Sequence, residues 1–277
     1  MRKTIGLALS LAAISCLICA AHAQTASAEL ALGVAAYKQG RHEEAISHFQ
    51  RAIALDANRV VPHLYLGAAY AQKYIPGEDT PDNNQTARLA IEEFEKVLTL
   101  NPTQEQETST LKSLASLYFN MKQLDKAKEF YRKVAEIESQ DPEIYFTIGV
   151  IDWTEAYQWR MEQRAKLRMT PEQPLINTSQ CWDVKAKNED IVQDGIDVFT
   201  KAMTLRRNYD DAMAYMNLMY RERADIQCGN KQAYDADTKT ADKWVDVTMA
   251  TKAKEEKDKE KENRVKERSR PSQQQFR

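Results

Sequence analysis

The chain has 277 residues and nearly balanced charge, 39 basic against 41 acidic side chains. That balance gives no case for a nucleic-acid binder or a membrane-surface binder. With only eight glycines and eight prolines, the composition favours helix, because the abundant Ala, Leu, Glu, Lys and Gln lose little entropy there.

Residues 1–23 read separately from the rest. Arg2 and Lys3 precede an apolar run, 5–20, and Ala21 and Ala23 stand at −3 and −1 of a cleavage point before Gln24. This is the pattern of a secretory signal peptide. The run is shorter than the ~20 residues needed to cross a bilayer, so no membrane span is expected after cleavage. An alternative is lipoprotein anchoring at Cys16, since Ala13-Ile14-Ser15 before it resembles a lipobox weakly. Cleavage predicts an exported protein, periplasmic or associated with the cell envelope. It leaves 37 basic against 41 acidic groups, a net charge of −4. It also removes Cys16 and Cys19. Cys181 and Cys228 remain as an even pair in an oxidising compartment, where a disulfide between them is expected; two buried free thiols are the alternative.

The rest of the chain is built on a repeat. In 26–59, Leu32-Gly33 is followed by Gly40, Ala45, Phe49, Ala52 and Leu55-Asp56. A second copy near 60–102 carries Leu66-Gly67, Tyr70, Ala90, Phe94 and Val97, interrupted over 74–86. A third, 108–141, carries Leu114-Ala115, Tyr118, Ala127, Tyr131 and Val134. A fourth, near 142–209, starts with Ile148-Gly149 and resumes at Gly195, Phe199 and Ala202. A fifth, near 210–250, starts with Met216-Asn217 and resumes at Ala241 and Val245. Small residues recur where two helices must approach closely, a large aromatic follows four positions after the second of them, and Gly40 falls where the chain must turn.

This pattern resembles the tetratricopeptide repeat (TPR). The resemblance implies an all-α, right-handed α-solenoid of about five helix-turn-helix repeats with extended intra-repeat insertions, over 24–250. From the small residue of the first helix to that of the second, the spacing is 12 in copy one (Gly33 to Ala45), 23 in copy two, 46 in copy four and 24 in copy five. The extra residues all fall between a repeat's two helices, so they should gather on one edge as a lip. Asp141 and Pro142 predict a helix start, with helix competence to Met169 and a restart near Lys185. The charged run 251–270, with nine basic and six acidic residues, predicts a helical overrun that frays toward the end of a 251–277 tail.

No catalytic motif is present: no nucleophile elbow, zinc-protease helix or phosphate-binding glycine loop. The mature histidines are His42, in an expected exposed turn, with His48 and His63, which do not share a helix face. No metal site, cofactor or enzymatic activity is expected from them. What remains is binding. The resemblance places a concave groove on the first helix of each repeat. It implies Tyr37, Leu64, Phe119, Phe146, Val150 and Trp153 as partner-binding positions, with Ala214, Leu218, Arg221 and Glu222 from the fifth copy. Tyr157, Met161 and Arg164 continue that stripe at helical spacing. The alternative for these aromatics is internal packing. The Lys/Asn set with which some TPR proteins clamp a peptide carboxylate is missing. The reading is a non-catalytic scaffold binding a protein or peptide, without nucleic acid. A subunit of an outer-membrane assembly or secretion complex is the second reading. An enzyme or small-ligand binder with a site under 155–188 is the third.

Overall fold

The computed structural model describes residues 25–170 and 173–268. The expected signal peptide, the alternative anchor at Cys16 and the last residues of the tail lie outside the described residues. The described residues form ten helices and no strand, an all-α helical-repeat fold. They divide into two compact units, one ending at Ile137 and one starting at Glu138.

In the first unit, three helix pairs follow one another. They are α1 (25–38) with α2 (His42–Leu55), α3 (Val60–Lys73) with α4 (Pro81–Thr99), and α5 (Gln104–Asn120) with α6 (Leu124–Ile137). Gly40 turns the chain between α1 and α2 at φ +71°, a conformation that costs a side chain with Cβ about 1 kcal/mol or more. His42 does not fall in an exposed turn; it opens α2 and is half-buried, its ring 5.8 Å from that of Tyr37. The 74–86 interruption is part connection and part helix: 74–80 link the pair, and 81–86 are the first turns of α4. Thr80 caps α4 by accepting from the Asn83 amide, and Pro81 occupies its first turn, where a missing N–H costs nothing. Asn83 holds the seven-residue connection by bonding both Ile75 backbone groups at 2.8 Å and the Glu78 carbonyl at 2.7 Å. The third repeat starts earlier than its motif, at Gln104, because Thr103 and Gln106 form a reciprocal capping box.

The second unit holds α7 (Pro142–Lys166), α8 (Gln180–Leu205), α9 (Asp210–Asp225) and α10 (Lys231–Arg268). Asp141 caps α7 by accepting from the Glu143 amide at 2.9 Å. The helix stops at Lys166, short of Met169. Arg168 turns to φ +53°, and the Met169 amide bonds back to the Arg164 carbonyl, a left-handed termination that satisfies an orphan carbonyl. α8 starts at Gln180, five residues before the expected Lys185, and buries Cys181 and Val184 in its first turns. The charged overrun is one continuous helix with the rest of α10, 38 residues long and therefore about 57 Å.

The register read from the sequence holds in every pair. Ala45, Ala90, Ala127, Gly195 and Ala241 are all buried on the second helix of their repeat. Three glycines on first helices lie under aromatic rings. A Cβ on Gly33 would meet Phe49 at 2.5 Å, one on Gly67 would meet Phe94 at 2.9 Å, and one on Gly149 would meet Phe199 at 2.6 Å. Phe49 then stacks on Tyr65 and Phe199 on Tyr215, each with ring centroids 5.5 Å apart. Each ring thus joins its own repeat to the next, an arrangement adding about 0.5–1.5 kcal/mol beyond area burial.

Candidate binding groove and the charged clasp beneath it

The groove belongs to the second unit and starts from a ladder along α7. Trp153, Tyr157, Arg160 and Arg164 stand at three- and four-residue spacing, on one helix face. Trp153 stacks on Tyr157 at 5.1 Å and meets the ring of Tyr215 edge-on at 5.4 Å. The Arg160 guanidinium lies 5.4 Å from the Tyr157 centroid, a cation–π contact of about 0.5–1 kcal/mol. Opposite, α9 presents Leu218, Arg221 and Glu222, and the start of α10 adds Tyr234 and Thr238. Together these line a cavity of about 210 Å³. Its walls are largely aromatic and aliphatic, and its floor is ionic.

The floor is a four-residue cluster. Arg160 bonds Glu222 through Nη2 at 2.8 Å, with Nε 2.6 Å from the other oxygen, and bonds Asp225 through Nη1 at 2.9 Å. Arg164, 2% exposed and the bulkiest fully buried side chain, bonds the same Asp225 oxygen at 2.6 Å. Its other amino group donates to the Thr170 carbonyl at 3.0 Å and to the Gln173 carbonyl. The second Asp225 oxygen accepts from the Leu175 amide at 3.3 Å. Burial pushes the Glu222 carboxyl above the usual carboxylate range, and Arg160 opposes that shift. Two cations and two anions neutralise one another, which is what allows four charges to be this deeply buried.

The clasp joins the two insertions. Arg160 and Arg164 lie on the overrun of α7, and Glu222 and Asp225 on the overrun of α9. Around them Ala156, Leu175, Val184 and Ile226 are buried in one apolar cluster. Asn188, buried on α8, donates to the Ala156 carbonyl at 2.8 Å, and Lys187 pairs with Glu155 at 3.0 Å. Cys181 and Cys228 form the expected disulfide, with Cα atoms 5.6 Å apart. Beside it the Gly229 amide donates to the Ile176 carbonyl at 2.7 Å. The insertions of copies four and five therefore meet on one edge and form a packed lip.

The residues assigned from the sequence fall into three groups. Trp153 and Tyr157 come together in the cavity with Leu218, Arg221 and Glu222. Phe146 turns inward, its ring 5.9 Å from Phe199, 5.0 Å from Tyr209 and 5.5 Å from Tyr215, and Val150 packs on the same core. Tyr37, Leu64 and Phe119 belong to the first unit and are half-buried on α1, α3 and α5. Tyr37 touches the Tyr65 ring edge-on at 5.9 Å. Sequence reasoning missed Arg160, Asp225 and Tyr234, and read Arg164 as part of an open stripe. The available signal was opposite charge at helical spacing on two helices that both overrun their repeat: 160/164 against 222/225.

Among the described residues, no helix is long and apolar enough to cross a membrane. No curated protein matches the chain. Two family models do: "TPR repeat" over residues 33–73 and "Tetratricopeptide repeat" over 113–141. Among solved structures, the fold is similar to that of a MamA protein, with TM-score 0.57 and 16% identity over 84% of this chain and 95% of that one. It is similar to MamA from Desulfovibrio magneticus RS-1, with TM-score 0.53 and 16% identity over 83% and 96%. It is also similar to YrrB, described as a TPR protein with an unusual peptide-binding site, with TM-score 0.51 and 14% identity over 80% and 84%. The repeat register, the glycine–aromatic pairs and the two model matches agree: the chain carries tetratricopeptide repeats, matched over 33–73 and 113–141, within an all-α helical-repeat fold.

Proposed function

We propose that this protein is a non-catalytic interaction scaffold of the periplasm or cell envelope, which grips a protein or peptide segment in the α7–α9 groove beside the lip. The observation that carries the reading is the cavity between the first helices of two successive repeats, with Trp153, Tyr157, Leu218 and Tyr234 around a floor whose charges are already paired. At about 210 Å³ it admits one large side chain, the size of anchor that dominates many protein interfaces. The pairing of Arg160 and Arg164 with Glu222 and Asp225 supports a scaffold over an enzyme, because no acid or base in the floor stands apart for proton transfer. Export is supported by the pattern of residues 1–23 and by a disulfide, a bond rare in reducing compartments.

The test is site-specific photocrosslinking in the intact envelope. A crosslinker at Tyr157 or Arg221 should capture one discrete partner, while one at exposed Gln193 on α8 should not. Leu218→Ala should reduce capture at least tenfold. Equal capture from all three positions, or none from the first two, would put the binding surface elsewhere. The N-terminus of the purified protein should be Gln24; an acylated Cys16 or a retained Met1 would replace the export route proposed here.

A further inference from the structure

Three features tie the lip to the groove at one residue. Cys181 and Cys228 are 47 residues apart and bridge the start of α8 to the turn after α9. Asp225, three residues before Cys228, accepts from Leu175 of the insertion through one oxygen. Through its other oxygen it holds Arg160 and Arg164. Arg160 is also the rung that meets Tyr157 on the α7 ladder. The chain of contact therefore runs disulfide, Asp225, Arg160, groove wall, with no gap larger than a hydrogen bond or a ring contact.

We infer that the Cys181–Cys228 disulfide is a redox-sensitive staple that sets the groove: closed, it holds the floor in its paired geometry, and opened by dithiol exchange, it releases it. The inference adds a means of regulation to the proposed binding reading, and its structural part stands without any partner. Cys181 is fully buried and Cys228 is partly exposed, so an external dithiol reaches the Cys228 sulfur first. Its thiolate attacks there, the S–S bond breaks, and Cys181 leaves as a thiolate that takes up a proton. The second thiol of the reductant then displaces Cys228. The protein disulfide gains two electrons and two protons, and the dithiol becomes a disulfide. The freed Cys181 thiol has an acceptor in place, since its sulfur lies 3.3 Å from the Asp225 carbonyl oxygen. The reduced state is therefore accommodated without stranding a buried donor. What it loses is the constraint that keeps the 175–181 segment against 225–229. The Leu175 and Gly229 amide bonds, each worth only about 0.5–1.5 kcal/mol, the ion pairs of Asp225 and the apolar contacts of Leu175, Val184 and Ile226 must then hold the two insertions without a covalent link.

The test is amide hydrogen exchange on the mature chain, oxidised and after treatment with dithiothreitol, with Cys181→Ala/Cys228→Ala as a permanently open form. Reduction should speed exchange at 175–181 and 222–229 at least tenfold, with little change in the first half of α9, 210–217. The double variant should match the reduced protein. Asp225→Asn, with the disulfide intact, should speed exchange at 222–229 as reduction does. Unchanged exchange at 222–229 on reduction would overturn the inference. So would an equal rise across all of α7–α10, because that is a loss of overall stability and not a release of the floor. If exchange responds as expected but crosslinking at Tyr157 captures nothing in either redox state, the staple stands and the binding reading falls.

Discussion

At the scale of single residues, the packing of this repeat rests on glycines that leave room for a ring. The Phe199 ring lies where a Cβ on Gly149 would sit, and it is held on its other sides by Phe146 and Tyr215. Gly149→Ala therefore has no cheap relief and should cost about 1–3 kcal/mol, the range for overpacking a core, read as a drop in urea midpoint without a change in slope. Exposure marks the limits of the repeat register just as clearly. Leu32 is 52% exposed, whereas its counterparts Leu66, Leu114, Ile148 and Met216 are buried. Val245, which stands where Phe49 and Phe199 stand in their repeats, is 38% exposed.

One histidine gives the first unit a pH dependence. His63 on α3 is held by Glu93 of α4 at 2.6 Å and by the Ala57 carbonyl at 3.1 Å. The bond to Glu93 raises its pKa above the ordinary imidazole value, against the opposing effect of burial. A group whose pKa is higher folded than unfolded contributes stability that is fully present below the unfolded value and lost as pH rises through the folded one. The His63 contribution should thus be present below about pH 6.5 and fade above it. Measured against His63→Gln, the native chain should show a stability advantage at pH 6 that is smaller at pH 8. An advantage that grew with pH would mean that Glu93 does not pair with the charged ring.

At the scale of elements, the three expanded repeats lengthen helices more than loops. α4, α7, α8 and α10 all run past the 14 residues of α2 and α6, each by adding turns at the end that faces the insertion or the tail. The extra turns carry the functional candidates: the Arg160–Arg164 pair exists only because α7 continues beyond the point where a regular repeat would turn. α10 differs in kind. Lys252 reaches Asp210 at 3.5 Å, and Thr251 lies 3.6 Å from the Met213 sulfur. From 253 to 266 almost every side chain is exposed. That stretch is held by helical pairs such as Glu260–Arg264 and Glu262–Lys266, each worth about 0.3–0.5 kcal/mol and weakened by salt. Truncation after Lys252 should leave the unfolding midpoint of the second unit within about 0.5 kcal/mol of the full chain. Ellipticity at 222 nm should fall in proportion to the residues removed. A larger loss of stability would show that the overrun packs on something.

At the scale of the whole molecule, the two units can be observed separately because all four tryptophans, Trp153, Trp159, Trp182 and Trp244, lie in the second. Tryptophan fluorescence thus reports the disulfide-bearing unit, while far-ultraviolet dichroism reports both. Opening the 47-residue link should cost about 2–4 kcal/mol in the second unit. The fluorescence transition should move by about 1–2 M urea, and the dichroism transition should broaden as its two components separate. A parallel shift of both signals would mean that the units unfold as one.

The sequence by itself determined the repeat, its register, the helix pairs and the places where they lengthen, because each of these is a local matter of spacing, residue size and capping. The disulfide pair was legible as well, since Cys181 and Cys228 are the two cysteines outside the signal-like residues 1–23. Only the tertiary structure decided which aromatics close on the core and which remain at the groove. Phe146 and Trp153 are both aromatics on the same predicted face of α7. The packing of α8 and α9 encloses the first among Phe199, Tyr209 and Tyr215 and leaves the second beside a cavity. The clasp is likewise a tertiary product. Arg160 and Arg164 are ordinary charges on an overrunning helix until α9 brings Glu222 and Asp225 within 3 Å. A buried charge is tolerated only with its partner present, and that partner lies about sixty residues away, beyond the reach of any local pattern.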